Sequence, residues 1–180
     1  VFISVDNIFE IRKNDLIINF LSLSNSSYKE NLYNIQDSRV LMKNFEFSDC
    51  GSRSRYSGFF LISESIFSLD FFIFSFEAFS PLSFDYVNKI FFRVRNSEVN
   101  ISSVFLNVKN DWIILDAVES NLFLSYLEVF MLKKAASLEK PSSSITGGAS
   151  TVIYINFCRF FFDQGIFLKI NTIEVFQLIG

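Results

Sequence analysis

The chain has 180 residues, half of them hydrophobic, with 25 phenylalanines, no histidine, two cysteines and a formal net charge of −3. That length suffices for a single domain, residues 1–180, with a substantial core, and the basic residues form no stripe that could track a phosphate backbone, so nucleic acid is not an expected partner. No apolar run approaches the ~18–20 residues of a membrane-spanning helix, no signal peptide is visible, and no metal-spaced Cys/His set or phosphate-cradling glycine loop occurs, so no metal or cofactor is expected.

Residues 1–8 read as the tail of a repeating unit, with Ile3 and Val5 alternating. The first complete unit is Phe9 to Leu23, followed by the polar stretch SNSSYKENL. The second runs from Tyr33 to Phe47 and leads into SDCGSRSRYSG, whose Arg53, Arg55 and Tyr56 are expected to be solvated, as charged residues in a Gly/Ser loop usually are. The third, Phe60 to Phe74, precedes a long insertion at 75–91 carrying Phe76, Phe79, Phe84, Tyr86 and Phe91. So aromatic a loop is expected to fold back over a neighbouring outer face. Units four and five, Phe92–Leu106 and Leu115–Val129, are joined by NVKNDWII. Next comes FMLKKAASLEKPSSSI, whose first ten residues predict a short helix ended by Pro141. Units six and seven are Thr146–Phe160 and Ile166 to the end.

The units align on a polar corner residue: Asn14, Ser38, Ser65, Ser97, Ser120, Thr151 and Asn171. Apolar residues fall five and three before this corner, and two, four, seven and nine after it. Of the 42 positions in those six columns, 39 are apolar, and the misses are Thr146, Gly148 and Gly180. Each pair of apolar positions two apart is a short strand with one face buried, and the breaks between pairs are too short for anything but a bend. A polar residue at each bend is expected to bond nearby backbone, and stacked copies to bond one another. Length varies only between the end of one unit and the start of the next. The pattern therefore predicts an all-β solenoid of seven rungs, three strands per rung, with every insertion leaving from one corner.

In this repeat the chain resembles the right-handed parallel β-helix of the pectin-lyase-like superfamily, over about residues 9–180. TGGAS at 146–150 also resembles the GGA-type repeats of polymorphic surface β-helix proteins, with Ser150 standing where isoleucine is usual. The resemblance implies two alternatives. Enzymes of this type use an Arg or Lys base beside calcium-holding aspartates, or two or three aspartates on neighbouring rungs. Among outward positions here, Arg93 and Asp116 are neighbours, and so are Glu128 and Arg159, but no second carboxylate joins either pair. The expected function is accordingly a non-enzymatic structural or adhesive β-helix segment of a larger surface or secreted protein, with an extracellular or cell-surface location. The alternative is a carbohydrate-active enzyme, a polysaccharide lyase or glycoside hydrolase, with Arg93 and Asp116 as its candidate residues.

The expected binding residues are Phe123, Tyr154 and Asn100. The outward column of the second strands reads Ile17, Leu41, Ser68, Asn100, Phe123, Tyr154 and Glu174, apolar at four of seven positions where a solvated face should be polar. Phe123 and Tyr154 are expected to lie side by side as a flat platform, with Asn100 one rung below. Such a surface suits a glycan or a neighbouring protein domain.

Overall fold

The computed structural model describes residues 7–24, 27–28, 31–48, 51–52, 58–75, 89–109, 112–132, 143–162 and 166–170. Every regular element among them is a β-strand. The first strands, Asn7–Arg12, Asn31–Gln36, Gly58–Ser63, Lys89–Arg95, Trp112–Val118, Ser143–Gly147 and Ile166–Ile170, form one parallel sheet. A second parallel sheet stacks Asp15–Ser24, Arg39–Ser48, Ile66–Ser75, Glu98–Lys109, Asn121–Leu132 and Val152–Asn156, with Arg159–Phe162 continuing the last of these beside Asn121–Leu132. Each strand pairs with its counterpart in the next turn, which makes the molecule a parallel β-solenoid. The expected second and third strands of a turn run mostly as one bent strand, so the coil has two long sheets rather than three, with a small two-stranded sheet of Ser27–Tyr28 and Gly51–Ser52 beside them.

The bends explain the column spacing. Six residues past each corner stand Phe20, Asn44, Phe71, Ser103, Tyr126 and Phe157, all with φ between 51° and 62°. A left-handed residue turns the chain while consuming one position, so the apolar residues at four and seven past the corner both face inward. A second left-handed set, Lys13, Asp37, Glu64, Asn96, Glu119 and Ser150, immediately precedes the corner, with φ between 46° and 54°. None of these twelve is glycine. Such a conformation costs an L-residue on the order of 1–2 kcal/mol, so something must hold each one in place.

What holds the corner is a ladder of hydroxyls. The amide N–H groups of Asn14, Ser38, Ser65 and Ser97 donate to the Oγ of Ser38, Ser65, Ser97 and Ser120 in the following turn, at 3.1–3.2 Å. Each of those hydroxyls donates in turn to the carbonyl two residues back, on Gln36, Ser63, Arg95 and Val118, at 2.6–2.7 Å. The left-handed residue beside it donates to the same carbonyl row one turn on, as in Asp37 N–H to Ser63 O at 3.1 Å and Glu64 N–H to Arg95 O at 3.0 Å. The stacked serines thus bond backbone to side chain across turns, not side chain to side chain.

Inside, the six columns are buried in full in four turns, those cornered on Ser38, Ser65, Ser97 and Ser120. The closed coil therefore amounts to about four turns rather than seven. In the turn of Asn14 most columns are only partly covered, and in the turn of Thr151 Ile155, Cys158 and Phe160 are half-buried. Of the seventh unit only Ile166–Ile170 is described, and Asn171 lies outside the described residues. Aromatic rings stack up the core: Phe9, Tyr33, Phe60 and Phe92 follow one another at 4.7–5.1 Å with planes within 12°. A further buried set within the first strands, Leu32, Phe59, Phe91 and Ile114, immediately precedes the column of Tyr33, Phe60, Phe92 and Leu115, and Phe59 stacks on Phe91 at 4.7 Å. Phe91 is thus core and not part of an aromatic loop.

The sixth unit departs from the expected register by one residue. Leu115 pairs with Ile145, Asp116 with Thr146 and Ala117 with Gly147. Ile145 is fully buried, so the apolar column continues through it, and the apparent misses at Thr146 and Gly148 arise from one extra residue at this corner. Gly148 turns the chain against the fifth turn, where a Cβ would lie 2.6 Å from Val118 Cγ2. The seventh unit shifts the other way, by two residues, with Leu168 rather than Ile166 opposite Ile145. The helix expected from residue 130 is not formed over Phe130–Leu132, which extend the strand Asn121–Leu132. The rest of that segment, the loop with Arg53, Arg55 and Tyr56, and most of 75–91 lie outside the described residues.

Two stability measurements check this account. Ser65→Ala removes the acceptor for the buried Ser38 N–H and is expected to cost about 1–3 kcal/mol in denaturant unfolding, with Ser65→Thr far milder. Glu64→Gly relieves a left-handed glutamate whose side chain is exposed, and is expected to stabilise by about 0.5–1 kcal/mol after the added freedom of the unfolded chain is counted. A neutral Ser65→Ala would remove the ladder from its central place.

Candidate functional site

Arg93 and Asp116 stand in register on the outer face of the first sheet. Their closest approach is 3.7 Å, Arg93 Nε to Asp116 Oδ2. The stronger partner is Arg95, whose Nη2 donates to Asp116 Oδ2 at 2.7 Å while its Nη1 donates to the carbonyls of Asp116 and Val94 at 3.0 and 2.8 Å. Thr146 Oγ1 donates to the other carboxylate oxygen, Oδ1, at 2.7 Å. The one-residue shift of the sixth unit puts Thr146 there, where Gly147 was expected. Burial lowers the Arg93 pKa from its ordinary value, Asp116 opposes that shift and Arg95 adds to it. Both oxygens of Asp116 are therefore engaged by neighbours within the sheet. That is the chemistry of a tie between turns, and the geometry adds nothing specific to the carbohydrate-active alternative.

Among the described residues no group of three His, Cys, Asp or Glu side chains is placed to hold a metal ion, and no helix is long and apolar enough to cross a membrane. Glu128 and Arg159 are in register, with Arg159 Nη1 3.4 Å from Glu128 Oε1 in an exposed pair. Cys158 is half-buried, and burial raises its thiol pKa from the ordinary value.

The second sheet's outer face is where the unexpected density of side chains lies. Phe123 and Tyr154 are in register, and Asn100 lies beside Phe123 one turn back. Their rings are parallel to within 1° with centroids 4.8 Å apart. Parallel rings at that spacing overlap face on face. They form a ladder that points its edges outward, where a flat platform was expected. Two further ladders join the same two turns. Tyr126 and Phe157 stack at 5.4 Å on the left-handed bend, and Phe130 and Phe161 stack at 4.5 Å, with Phe105 tilted against Phe130. Phe157 is 68% exposed and Tyr126 59%. The bend column, Phe20, Asn44, Phe71, Ser103, Tyr126 and Phe157, is readable in the sequence but is hidden by the assumption that bends are polar.

Searches of protein-family models, curated proteins and solved structures find no match for this chain. The β-solenoid consequently rests on the structure itself.

The tie at Asp116 is open to test by Asp116→Ala. That change leaves two half-buried guanidinium groups facing each other and Thr146 without its acceptor, and is expected to cost about 1–3 kcal/mol. Arg93→Ala in the same background should recover part of the loss by relieving the repulsion. An unfolding midpoint unchanged by Asp116→Ala would show that the cluster holds nothing together.

Proposed function

We propose that this chain is a structural, adhesive β-solenoid segment of a larger surface or secreted protein, and that it docks another protein surface through the outer face of its second sheet. The observation that carries the reading is the group of three outward aromatic ladders on the turns of Ser120 and Thr151, centred on Phe123 and Tyr154 with Asn100 beside them. A group of exposed aromatic side chains of this kind marks an interaction surface, and aromatic anchors dominate the energetics of such contacts. The resemblance of the repeat, and of TGGAS in particular, to surface β-helix proteins supports the location. Between protein and glycan, ring geometry favours protein. A sugar ring stacks on an open aromatic face, whereas Phe123 and Tyr154 each turn one face to the other and present edges outward, which suit carbonyl oxygens and the faces of other rings.

Beads coated with the chain are expected to adhere to cell monolayers and to beads of their own kind, and Phe123→Ala with Tyr154→Ala to weaken adhesion roughly tenfold or more. A glycan array run in parallel separates the ligand classes, since hits that vanish in the double variant would reassign the surface to sugar. Adhesion absent in the parent, or unchanged in the variant, would leave the ladders without this role.

A further inference from the structure

Each closed corner is joined to the turn before it by three hydrogen bonds of fixed direction. The corner N–H of the earlier turn donates to the side-chain oxygen of the later corner, as from Ser38 to Ser65 Oγ at 3.1 Å. The N–H just before the earlier corner donates to the carbonyl two residues before the later one, as from Asp37 to Ser63 O at 3.1 Å. The N–H just after the later corner donates back to the earlier corner's carbonyl, as from Ile66 to Ser38 O at 2.9 Å. The same three bonds join Asn14 to Ser38, Ser65 to Ser97 and Ser97 to Ser120.

Asn14 is set to receive the same three from its other side. Its Nδ2 donates to the Arg12 carbonyl two residues back at 2.6 Å, the bond that each serine Oγ makes to its own carbonyl two residues back. With the amide nitrogen so engaged, Oδ1 stands where the serine oxygen would accept. The Arg12 carbonyl keeps a second lone pair, the one with which Gln36 O accepts the Lys13 N–H a turn later. The Asp15 N–H, the equivalent of the Arg39 N–H, faces away from the strand Arg39–Ser48. Among the described residues none of these three groups has a partner on that side. The inward columns agree. Leu16 is 38% exposed where Val40, its neighbour one turn on, is 3%, and Ile18 and Leu21 are partly covered where Met42 and Phe45 are buried. A sheet edge that faces water is ordinarily blunted by inward charge, and these inward positions carry leucine and isoleucine.

We propose that the Asn14 end is a junction for one more turn of the same coil, supplied by polypeptide ahead of residue 1. The proposal rests on the reading of the chain as a segment of a larger protein and names what adjoins it. The occupant is a strand–bend–strand segment lying parallel to Asp15–Ser24. Its corner N–H meets Asn14 Oδ1, the N–H before that meets the Arg12 carbonyl, and its corner carbonyl takes the Asp15 N–H. Two and four residues past its corner it carries apolar side chains, which close over Leu16 and Ile18. Continuity selects this occupant, because the contact is the one already formed between each pair of consecutive turns from Asn14 to Ser120.

Fusing a second copy of residues 31–48 directly ahead of Val1 tests the proposal. The added Ser38 then stands 24 residues before Asn14, the interval that separates Asn14 from Ser38 in the chain itself. The Asp15 amide is the reporter. In the parent it is expected to exchange with deuterium nearly as fast as an unprotected amide, and in the extended chain on the order of a hundredfold more slowly, with a higher unfolding midpoint. Asn14→Ala should leave the parent midpoint nearly unchanged, and lower that of the extended chain about as far as Ser65→Ala lowers the parent's. Should the extended chain aggregate, the 31–48 peptide added to the parent at high micromolar concentration reads the same amide, whose exchange should slow severalfold. Asp15 exchange unchanged by fusion and by peptide, or an Asn14→Ala cost equal in the two chains, overturns the proposal. Protection of Asp15 that grows with the concentration of the parent alone assigns the end to a second copy and overturns it too. The bead assay reports separately. Adhesion absent while Asp15 becomes protected removes the docking reading and leaves the junction, and adhesion through Phe123 and Tyr154 with Asp15 still exchanging does the reverse.

Discussion

The structure depends on a single hydrogen bond repeated from turn to turn: a backbone N–H at the corner given to a serine hydroxyl in the turn above. At that bend the regular strand ladder is interrupted, and a buried amide without an acceptor would cost about as much as a lost hydrogen bond. The serine oxygen fills the gap, and by donating to the carbonyl two residues back it also fixes its own turn. Because donor and acceptor belong to successive turns, the bond sets the register of the whole coil. Once the corners are stacked, the columns of the four closed turns follow, inward and outward alike.

The same bond accounts for the two left-handed residues in each turn. Left-handed phenylalanine or glutamate is costly alone, and a fold that needed twelve of them would ordinarily spell them as glycine. Here the residue before the corner is held by its own amide bond to the next turn's carbonyl row, and the one at the second bend lies between two continuous ladders. Side chains are thereby kept at positions where glycine would have left none. At the second bend those side chains include Phe20, Phe71, Tyr126 and Phe157, all exposed. The conformational cost and the surface aromatics have one origin.

This coupling also marks what could be read from the residues in order. Alternation at fixed distances from Ser38, Ser65, Ser97 and Ser120 revealed the columns, because burial demands the same spacing in every closed turn. The in-register neighbours Arg93 and Asp116, and Phe123 and Tyr154, followed from the columns directly. The sixth unit was misaligned because Ile145-Gly147 and Thr146-Gly148 are poor apolar pairs of nearly equal quality, and only Val118, pressed against Gly148, distinguishes them. Arg95 and Thr146 escaped notice for a related reason. Arg95 flanks the corner, outside any column, and alternation assigns Thr146 to an inward column from which the shift turns it to the outward one. The helix expected from 130 lost to strand pairing, since Phe130 and Met131 continue a ladder beside Asn107 and Val108. Local propensity is weak against two rows of existing partners.

The placement of the aromatic residues separates the two ends of the coil. In the turns of Ser38 and Ser65 the inward columns carry the rings of Tyr33, Phe45 and Phe47, then Phe60, Phe67, Phe72 and Phe74, while Phe71 at the bend faces out. In the turn of Ser120 the inward columns are Leu115, Ala117, Leu122, Leu124, Leu127 and Val129, without one ring, while Phe123 and Tyr126 face out. An excess of phenylalanine that merely filled the core would not reverse sides in this way. Inside, rings stack because each turn repeats the one below at strand spacing, and outside the same spacing brings Phe123 to Tyr154 and Tyr126 to Phe157. Stacking along the coil sets ring against ring in both places, but only the outer ladders have edges left over. The solenoid thus converts a repeat that builds a core into one that builds aromatic ribs on its surface, running along the axis of the coil.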